Sequence, residues 1–331
     1  MADKTPVTVL TGFLGAGKTT LVNHILTAEH GQRIAVIENE FGAVGIDDAL
    51  VVGGDETVIE MSNGCCLCCT ARTDLIDTLR TLRDRDEQFD RIIIETSGMA
   101  DPNPVAQTFF VDEDVATYYT LDAIVTMVDA VHIGSHLDEI GVDGVGDQAV
   151  NQVAFADRVV INKVDLVDSP VLDELWTRLR GVNATAEFVT SSYARVNLDD
   201  VLGLGAFDLD RTMAAEPGWL DKEDFGHDPE LDSVALEVPG ELDHDAFREW
   251  LTEFVDTRST DLYRIKGIIA VRGDSRQYVL QGVHKLFELR AGGRWVSAER
   301  GSKLVLIGRN LEYEQVYAQI VACRAPDPVT T

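Results

Sequence analysis

A glycine-rich stretch near the start of the chain constrains its fold more than any other feature. Residues 12–19 read Gly-Phe-Leu-Gly-Ala-Gly-Lys-Thr and fit the phosphate-binding pattern G-x-x-x-x-G-K-[ST]. The apolar segment 7–10 predicts a buried strand before this loop, and apolar residues at helical spacing predict a helix from Lys18 onwards. A glycine-rich turn without a ligand is the alternative, but the strand and helix on either side favour a loop that binds a nucleoside phosphate.

The loop residues have distinct expected roles. The glycines Gly12, Gly15 and Gly17 allow backbone N–H groups to turn inward around an anion. We expect Lys18 to contact the β- and γ-phosphates and the Thr19 hydroxyl to bind Mg²⁺.

Acidic residues follow two other predicted strands. Segment 33–37 leads into Glu38, and segment 89–94 leads into Glu95 and then Gly98. Acids beyond the ends of parallel strands face the ligand crevice, although a solvated acidic loop is the alternative for the region after Glu38. We expect Glu95 to hold the Mg²⁺ shell or orient the attacking water, and the Gly98 N–H to contact the γ-phosphate.

A third strand-end motif predicts which base is bound. The predicted strand at 158–161 is followed directly by Asn162-Lys163-Val164-Asp165. The Asp165 carboxylate can accept two hydrogen bonds from the ring N–H and exocyclic amine of guanine, a pair that adenine does not offer. The motif therefore predicts guanine over adenine, and segment 188–192 is a fainter candidate for a further base-contacting loop.

Four of the five cysteines lie in one short run, at Cys65, Cys66, Cys68 and Cys69. A helix is predicted directly after them, and a helix N-terminus favours the thiolate form that binds metals. Clustered thiolates suit Zn²⁺, and the absence of a second Cys-x-x-Cys pair indicates an open, exchangeable site. Redox chemistry is the main rival, and crowded free thiols indicate a reducing cytoplasm.

Charge and composition restrict the partners and the architecture. The 57 acidic and 28 basic residues give a net charge of −29, which disfavours nucleic acid and membranes as partners and is typical of adaptation to high salt. We predict an α/β domain at 1–205 with a doubly wound, mostly parallel sheet. An acidic linker at 206–230 and a smaller α+β domain at 231–325 are predicted to follow.

Together these stretches resemble the CobW-like family of metal-handling P-loop GTPases, most closely its bacterial YjiA subgroup. The similarity covers nearly the whole chain and rests on TGFLGAGKTT, IENEFG, the cysteine run, IETSGMADP, VDAVH, NKVD and the C-terminal QGVHKLF. It implies a GTPase that uses GTP and Mg²⁺, binds Zn²⁺ or Co²⁺, and delivers the metal to a client metalloprotein.

The resemblance also assigns residues. It implies a metal site formed by Cys68, Cys69 and either Cys65 or Cys66, with Glu38 as an auxiliary ligand. The choice between Cys65 and Cys66 stays open because the cysteine run has one residue more than the usual family pattern. The implied catalytic residues are Lys18, Thr19, Glu95 and Gly98. The implied nucleotide-binding residues are Gly12, Gly15, Ala16, Gly17, Lys18, Thr19, Thr20, Asn162, Lys163 and Asp165.

Other functions remain open at this point. A zinc-responsive GTPase could regulate a partner without transferring metal, and the adjacent cysteines could form a redox switch. A P-loop kinase is disfavoured by Asp165 and by the lack of a visible acceptor site. Association with further copies of the chain also stays open.

Overall fold

A computed structural model of the chain describes residues 4–38, 57–60, 70–85, 88–138, 145–207, 232–258, 261–295 and 300–324. These residues form two compact units. The first extends to Trp176 and takes in Ala186–Phe207, and the second takes in Thr177–Thr185 and the described residues from 232 onwards. The domain limits 1–205, 206–230 and 231–325 stay a prediction, because most of the linker lies outside the described residues.

The first unit is built on a parallel sheet. Its described strands are β1 (Thr5–Gly12), β2 (Ile34–Glu38), β3 (Thr57–Glu60), β4 (Arg91–Glu95), β5 (Tyr119–Asp129), β6 (Arg158–Asn162) and β7 (Glu187–Thr190). They form a seven-stranded sheet in the order β3-β2-β4-β1-β5-β6-β7, and every neighbouring pair is parallel. The predicted α/β fold with a parallel sheet is therefore confirmed.

Helices connect these strands. The described α-helices are α1 (Lys18–Thr27), α2 (Thr70–Arg83), α3 (Asn103–Val111), α4 (Glu113–Tyr118), α5 (Ile133–Asp138), α6 (Val145–Phe155) and α7 (Ser169–Val182). Short 3₁₀ turns lie at Val164–Leu166 and Leu198–Asp200. Among the described residues, no helix is long and apolar enough to span a bilayer.

The central position of β1 explains why the functional motifs converge. Its apolar run is buried, as expected for a strand covered on both faces. It pairs with β4 and β5, so that Leu10 lies opposite Glu95 and Gly12 lies opposite Met127. The carboxyl ends of these strands therefore open at one edge of the sheet, which is where ligands bind in α/β folds.

Apart from the segment Thr177–Thr185, the second unit is an antiparallel sheet with two helices. Its elements are β8 (Asp232–Pro239), α8 (His244–Thr257), β9 (Leu262–Ala270), β10 (Arg276–Val283), β11 (Leu286–Arg294), β12 (Gly301–Gly308) and α9 (Tyr313–Ala322). The sheet order is β11-β10-β9-β12-β8. Apolar residues of both helices, including Phe247, Leu251 and Ile320, share one core cluster with the sheet. This agrees with the predicted α+β domain.

One detail of the second unit differs from the sequence-based expectation. From its sequence, the segment 277–289 is expected to form a single strand, but the structure has a hairpin in which β10 pairs with β11. The turn is made by His284 and Lys285, with His284 at a left-handed φ of 49°. Neither is a usual turn residue, so the sequence lacks the Gly, Asn or Asp that marks most tight hairpins.

A buried carboxylate anchors the end of the first unit. Asp122, on β5, accepts hydrogen bonds from the backbone N–H groups of Gly203 at 2.9 Å and Gly205 at 2.7 Å. Its side chain also accepts from the Thr8 hydroxyl at 3.2 Å and lies 3.6 Å from the Arg91 guanidinium. One acid therefore holds the segment after the second 3₁₀ turn against the sheet.

We predict that Asp122→Asn destabilises the first unit. The amide offers one accepting oxygen, so a buried N–H of Gly203 or Gly205 loses its partner at a cost of about 1–3 kcal/mol. Urea unfolding of the full chain checks this, with the exposed Glu174→Gln as a control of equal charge change. Equal midpoints for both variants would show that Asp122 does not anchor the segment.

Candidate nucleotide-binding site

The glycine loop between β1 and α1 has a backbone that larger residues could not adopt. Gly12 has a φ of 136°, and a Cβ there would lie 2.2 Å from the Met127 carbonyl oxygen. Gly17 has a φ of 110°, and a Cβ there would lie 2.5 Å from Asn162 Nδ2. Both positions therefore require glycine, and the loop is fitted closely against β5 and β6.

The lysine of the loop is held inside it. Lys18 Nζ donates to the carbonyl oxygen of Gly12 at 2.7 Å and to that of Phe13 at 3.3 Å. The side chain is only 7% exposed. The positive charge is thus positioned beside the N-terminus of α1, where the helix dipole also favours an anion.

Two oxygen donors meet next to the loop. Thr19 Oγ1 donates to Glu95 Oε1 at 3.0 Å, joining the start of α1 to the end of β4. Hydroxyl and carboxylate oxygens are the ligands that Mg²⁺ prefers, so this donor pair fits the ion that accompanies a nucleoside triphosphate. Thr19 and Glu95 would hold it, and bound Mg²⁺ would supply charge neutralisation at the phosphates.

The segment after β4 contacts the glycine loop directly. Thr96 Oγ1 donates to Thr11 Oγ1 at 2.9 Å. A Cβ at Gly98 would lie 2.5 Å from the backbone nitrogen of Leu14. Gln152 Nε2 donates to the carbonyl of Gly98 at 3.2 Å. This places Gly98 against the phosphate loop, as its proposed γ-phosphate contact requires, and Gln152 is a partner that the sequence did not indicate.

The asparagine of the NKVD motif joins two loops. Asn162 is 2% exposed, and its Nδ2 donates to the Ala16 carbonyl at 2.9 Å. Its Oδ1 accepts from Ser191 Oγ and from the Ala194 backbone N–H, both at 2.9 Å. The phosphate loop and the segment after β7 are therefore connected through one buried amide.

Lys163 is held by a carboxylate that sequence reasoning missed. Its Nζ lies 2.6 Å from Oδ2 of Asp129, the last residue of β5, and His132 Nδ1 lies 3.0 Å from the same oxygen. Burial opposes ionisation of Asp129, but hydrogen bonds from Lys163, His132 and a backbone N–H outweigh it and lower the pKa of the carboxyl. The only signal was an acid at a strand end before His132.

The last residue of the motif is available to a base. Asp165 lies in the 3₁₀ turn after β6 and is exposed. Among the remaining predicted nucleotide residues, Gly15 has a φ of 79° and Thr20 is exposed on α1.

A cavity of about 250 Å³ adjoins the site on the β5 side. The Phe13 ring stacks on His136 at its wall, with ring centroids 4.3 Å apart. The cavity is lined by Phe13, Leu14, Thr126, Met127, Val128, Asp129, His132, Ile133, His136, Ala149, Gln152 and Val153. His132 therefore lies in the wall of this cavity.

The predicted metal ligands are placed only in part. Cys65, Cys66, Cys68 and Cys69 lie outside the described residues. Glu38 ends β2 and lies opposite Glu95 in the β2–β4 pairing. Within the described ranges, no group of three or more His, Cys, Asp or Glu side chains could hold a metal ion.

Two family models match the chain. The CobW/HypB/UreG nucleotide-binding domain matches residues 6–190, and the C-terminal domain of the cobalamin synthesis protein cobW matches residues 231–324. The parallel sheet, the phosphate loop and the NKVD motif define the class as a P-loop GTPase. The chain belongs to the CobW/HypB/UreG family, which confirms the resemblance found in the sequence.

Named relatives extend over most of the chain. The zinc chaperone YjiA of Escherichia coli is 34% identical, over 96% of this chain and 98% of the relative. The zinc chaperone CobW of Pseudomonas aeruginosa is 36% identical, over 96% and 91%. Zinc-regulated GTPase metalloprotein activator 1 of Schizosaccharomyces pombe is 31% identical, over 93% and 83%. The crystal structure of Zn(II)-bound YjiA GTPase from E. coli is similar with a TM-score of 0.75 and 30% identity, over 98% of this chain and all of that one.

We predict that Asp165→Asn changes the base preference from guanine to xanthine. The amide cannot accept both N–H groups of guanine, but it can accept one and donate to the 2-oxo group of xanthine. Loss of charge-assisted hydrogen bonds should weaken GTP binding about 100-fold or more, while XTP binds within about tenfold of the parent's affinity for GTP. Calorimetric titration with each nucleotide checks this. As a control, Asp168→Asn at a nearby exposed position should leave GTP affinity unchanged. If Asp165→Asn also binds GTP as tightly as the parent, Asp165 does not contact the base.

Proposed function

We propose that this chain is a GTP-driven metallochaperone that binds Zn²⁺ or Co²⁺ as its cargo through a thiolate cluster and delivers the ion to a client metalloprotein. The observation that carries the proposal is that the proposed auxiliary metal ligand lies beside the proposed nucleotide residues at one edge of the sheet. Glu38 and Glu95 are register partners at the ends of β2 and β4, and Glu95 is hydrogen-bonded to Thr19 of the phosphate loop. A ligand at Glu38 would therefore lie one strand from the nucleotide.

The position of the cysteines in the chain supports the same arrangement. They lie at residues 65–69, within the segment between the end of β3 at Glu60 and the start of α2 at Thr70. Glu60 is the register partner of Glu38, so β3 ends next to the proposed auxiliary ligand. Relatives named zinc chaperones and the Zn(II)-bound YjiA structure support zinc as the cargo. Thiolates of this kind require a reducing compartment such as the cytoplasm.

Helix α2, which follows the cysteine segment in the sequence, is well anchored. Leu75, Leu79 and Leu82 on α2 are buried. The Tyr119 hydroxyl donates to the Leu79 carbonyl at 2.7 Å, and burial raises the pKa of Tyr119 to about 12. Arg83 adds a 2.9 Å hydrogen bond to Asp114. These contacts hold the middle and the end of α2 against the first unit.

The nucleotide residues provide the switch. In hydrolysis, water attacks the γ-phosphorus, the bond to the β–γ bridging oxygen breaks, and GDP and phosphate are released. Glu95 orients the water or holds the ion shell, and Lys18 stabilises the charge that develops on the phosphates. We propose that loss of the γ-phosphate releases the Gly98 segment from the phosphate loop and weakens the linked metal site. Metal affinity and GTP affinity are then coupled in both directions.

A second function has one observation in its favour. The S. pombe relative is named a zinc-regulated GTPase, which fits a zinc-responsive regulator that controls a partner without transferring metal. The two functions differ in the fate of the ion. A chaperone releases metal during turnover, whereas a regulator keeps it bound.

The release of zinc during one turnover tests the proposal. The reduced protein is loaded with one equivalent of Zn²⁺ and Mg²⁺-GTP in high salt, and zinc capture by a chromophoric chelator is followed alongside phosphate release. We expect zinc to appear with phosphate, at least about tenfold faster than with a non-hydrolysable analogue, a factor that corresponds to about 1.4 kcal/mol. A double Cys68→Ser, Cys69→Ser variant is the control and should not retain zinc. Equal release with GTP and the analogue would favour the regulator.

A further inference from the structure

The loop after β7 contains a tight turn whose two central residues disfavour the backbone conformation that the turn requires. Arg195 N donates to the Ser192 carbonyl at 3.1 Å, and the two residues between them, Tyr193 and Ala194, have φ values of 57° and 55°. Positive φ at both central positions is the geometry of a type I′ turn, which Asn-Gly normally forms. A side chain in the left-handed region costs about 1–2 kcal/mol, least for Asn and Gly. The turn is therefore strained at two consecutive residues.

The surroundings of Ala194 account for its conformation. Its backbone N–H donates to Asn162 Oδ1 at 2.9 Å. Its methyl group is fully buried in the core cluster that includes the phosphate-loop residue Ala16. The left-handed conformation of Ala194 thus serves the connection between this loop and the NKVD motif.

No comparable contact with another described residue explains the left-handed conformation of Tyr193. Its side chain is 73% exposed, and within the described part of the chain it makes no hydrogen bond, ion pair or ring contact. A bulky aromatic ring in a strained and exposed position stabilises neither the turn nor the core. This is the pattern expected of a residue whose contact is made with a ligand.

The turn lies directly beside the predicted base contact. Val164 N donates to the Ser191 carbonyl at 3.2 Å, and Ser191 N donates to the Ile161 carbonyl at 2.8 Å. These hydrogen bonds join the loop before Tyr193 to the 3₁₀ turn that carries Asp165. Both Asp165 and Tyr193 are exposed, and both follow the carboxyl ends of neighbouring parallel strands.

We propose that Tyr193 is a nucleotide-binding residue whose ring packs on the guanine base. The inference rests on the GTP-binding function proposed above and adds a base contact to it. Aromatic rings stack on any purine, so Tyr193 contributes affinity, while Asp165 selects guanine. Stacking is also little affected by ionic strength. This suits a chain with a net charge of −29, which repels a nucleotide at long range.

The test compares Tyr193→Asn with Tyr193→Phe. Asn relieves strain in a type I′ turn. The thermal unfolding midpoint of Tyr193→Asn should therefore be the same as that of the parent or up to about 2 °C higher. Its Kd for Mg²⁺-GDP should nevertheless rise about 5-fold to 100-fold through loss of stacking. Phe keeps the ring and should bind GDP like the parent. The Kd for Mg²⁺-pyrophosphate, which reports on the phosphate loop alone, should be the same in all three proteins.

Each alternative gives a different result. If Tyr193→Asn binds GDP as tightly as the parent, the ring does not touch the base and the inference fails, while the GTPase function stands. If its affinity for pyrophosphate falls as much as that for GDP, the effect lies in the phosphate loop and the inference also fails. If the parent itself does not bind GDP, the proposed function fails with it.

Discussion

The buried side chain of Asn162 is the interaction on which the nucleotide site depends. It donates to Ala16 in the phosphate loop and accepts from Ser191 and Ala194 in the loop after β7. These contacts satisfy the amide in a buried setting, where an unpaired polar group would cost about 1–3 kcal/mol. They also fix the distance between the phosphate loop and the loop that is proposed to contact the base. The hydrogen bond from the Ala194 amide to Asn162 also accounts for the left-handed conformation of Ala194 in the turn after β7.

Because the chain is strongly negative, binding of a nucleotide requires hydrogen-bond donors that are held in place close to the ligand. A net charge of −29 disfavours the approach of a triphosphate at low salt. At about 1 M salt the Debye length is about 3 Å, so only contacts at van der Waals or hydrogen-bond distance contribute. The proposed nucleotide donors would act at that range: the loop amides, Lys18, and Lys163, which Asp129 positions. The same acidity attracts divalent cations without selecting among them, so selection would fall to the proposed thiolates.

Much of the fold and part of the site could be predicted, and the reason is locality. The phosphate loop, Glu95 and the NKVD motif can each be read from a short stretch of sequence that directly follows an apolar strand. The contacts that organise them were not predictable, because they join distant positions: Asn162 to Ala16 across 146 residues, and Lys163 to Asp129 across 34. The β10–β11 hairpin was missed because His284 and Lys285 carry no turn signal. The thiolate ligands stay a prediction, since residues 61–69 lie outside the described residues.

The coupling between nucleotide and metal is the central claim, and a Co²⁺ titration of reduced protein tests it most directly. The thiolate-to-cobalt charge-transfer absorbance is followed in high salt, once with Mg²⁺ and a non-hydrolysable GTP analogue and once with Mg²⁺-GDP. The account predicts binding at least about tenfold tighter in the GTP-analogue state, a coupling of about 1.4 kcal/mol or more. Equal affinities in the two states would contradict it, leaving a GTPase that carries a metal site without GTP-gated delivery.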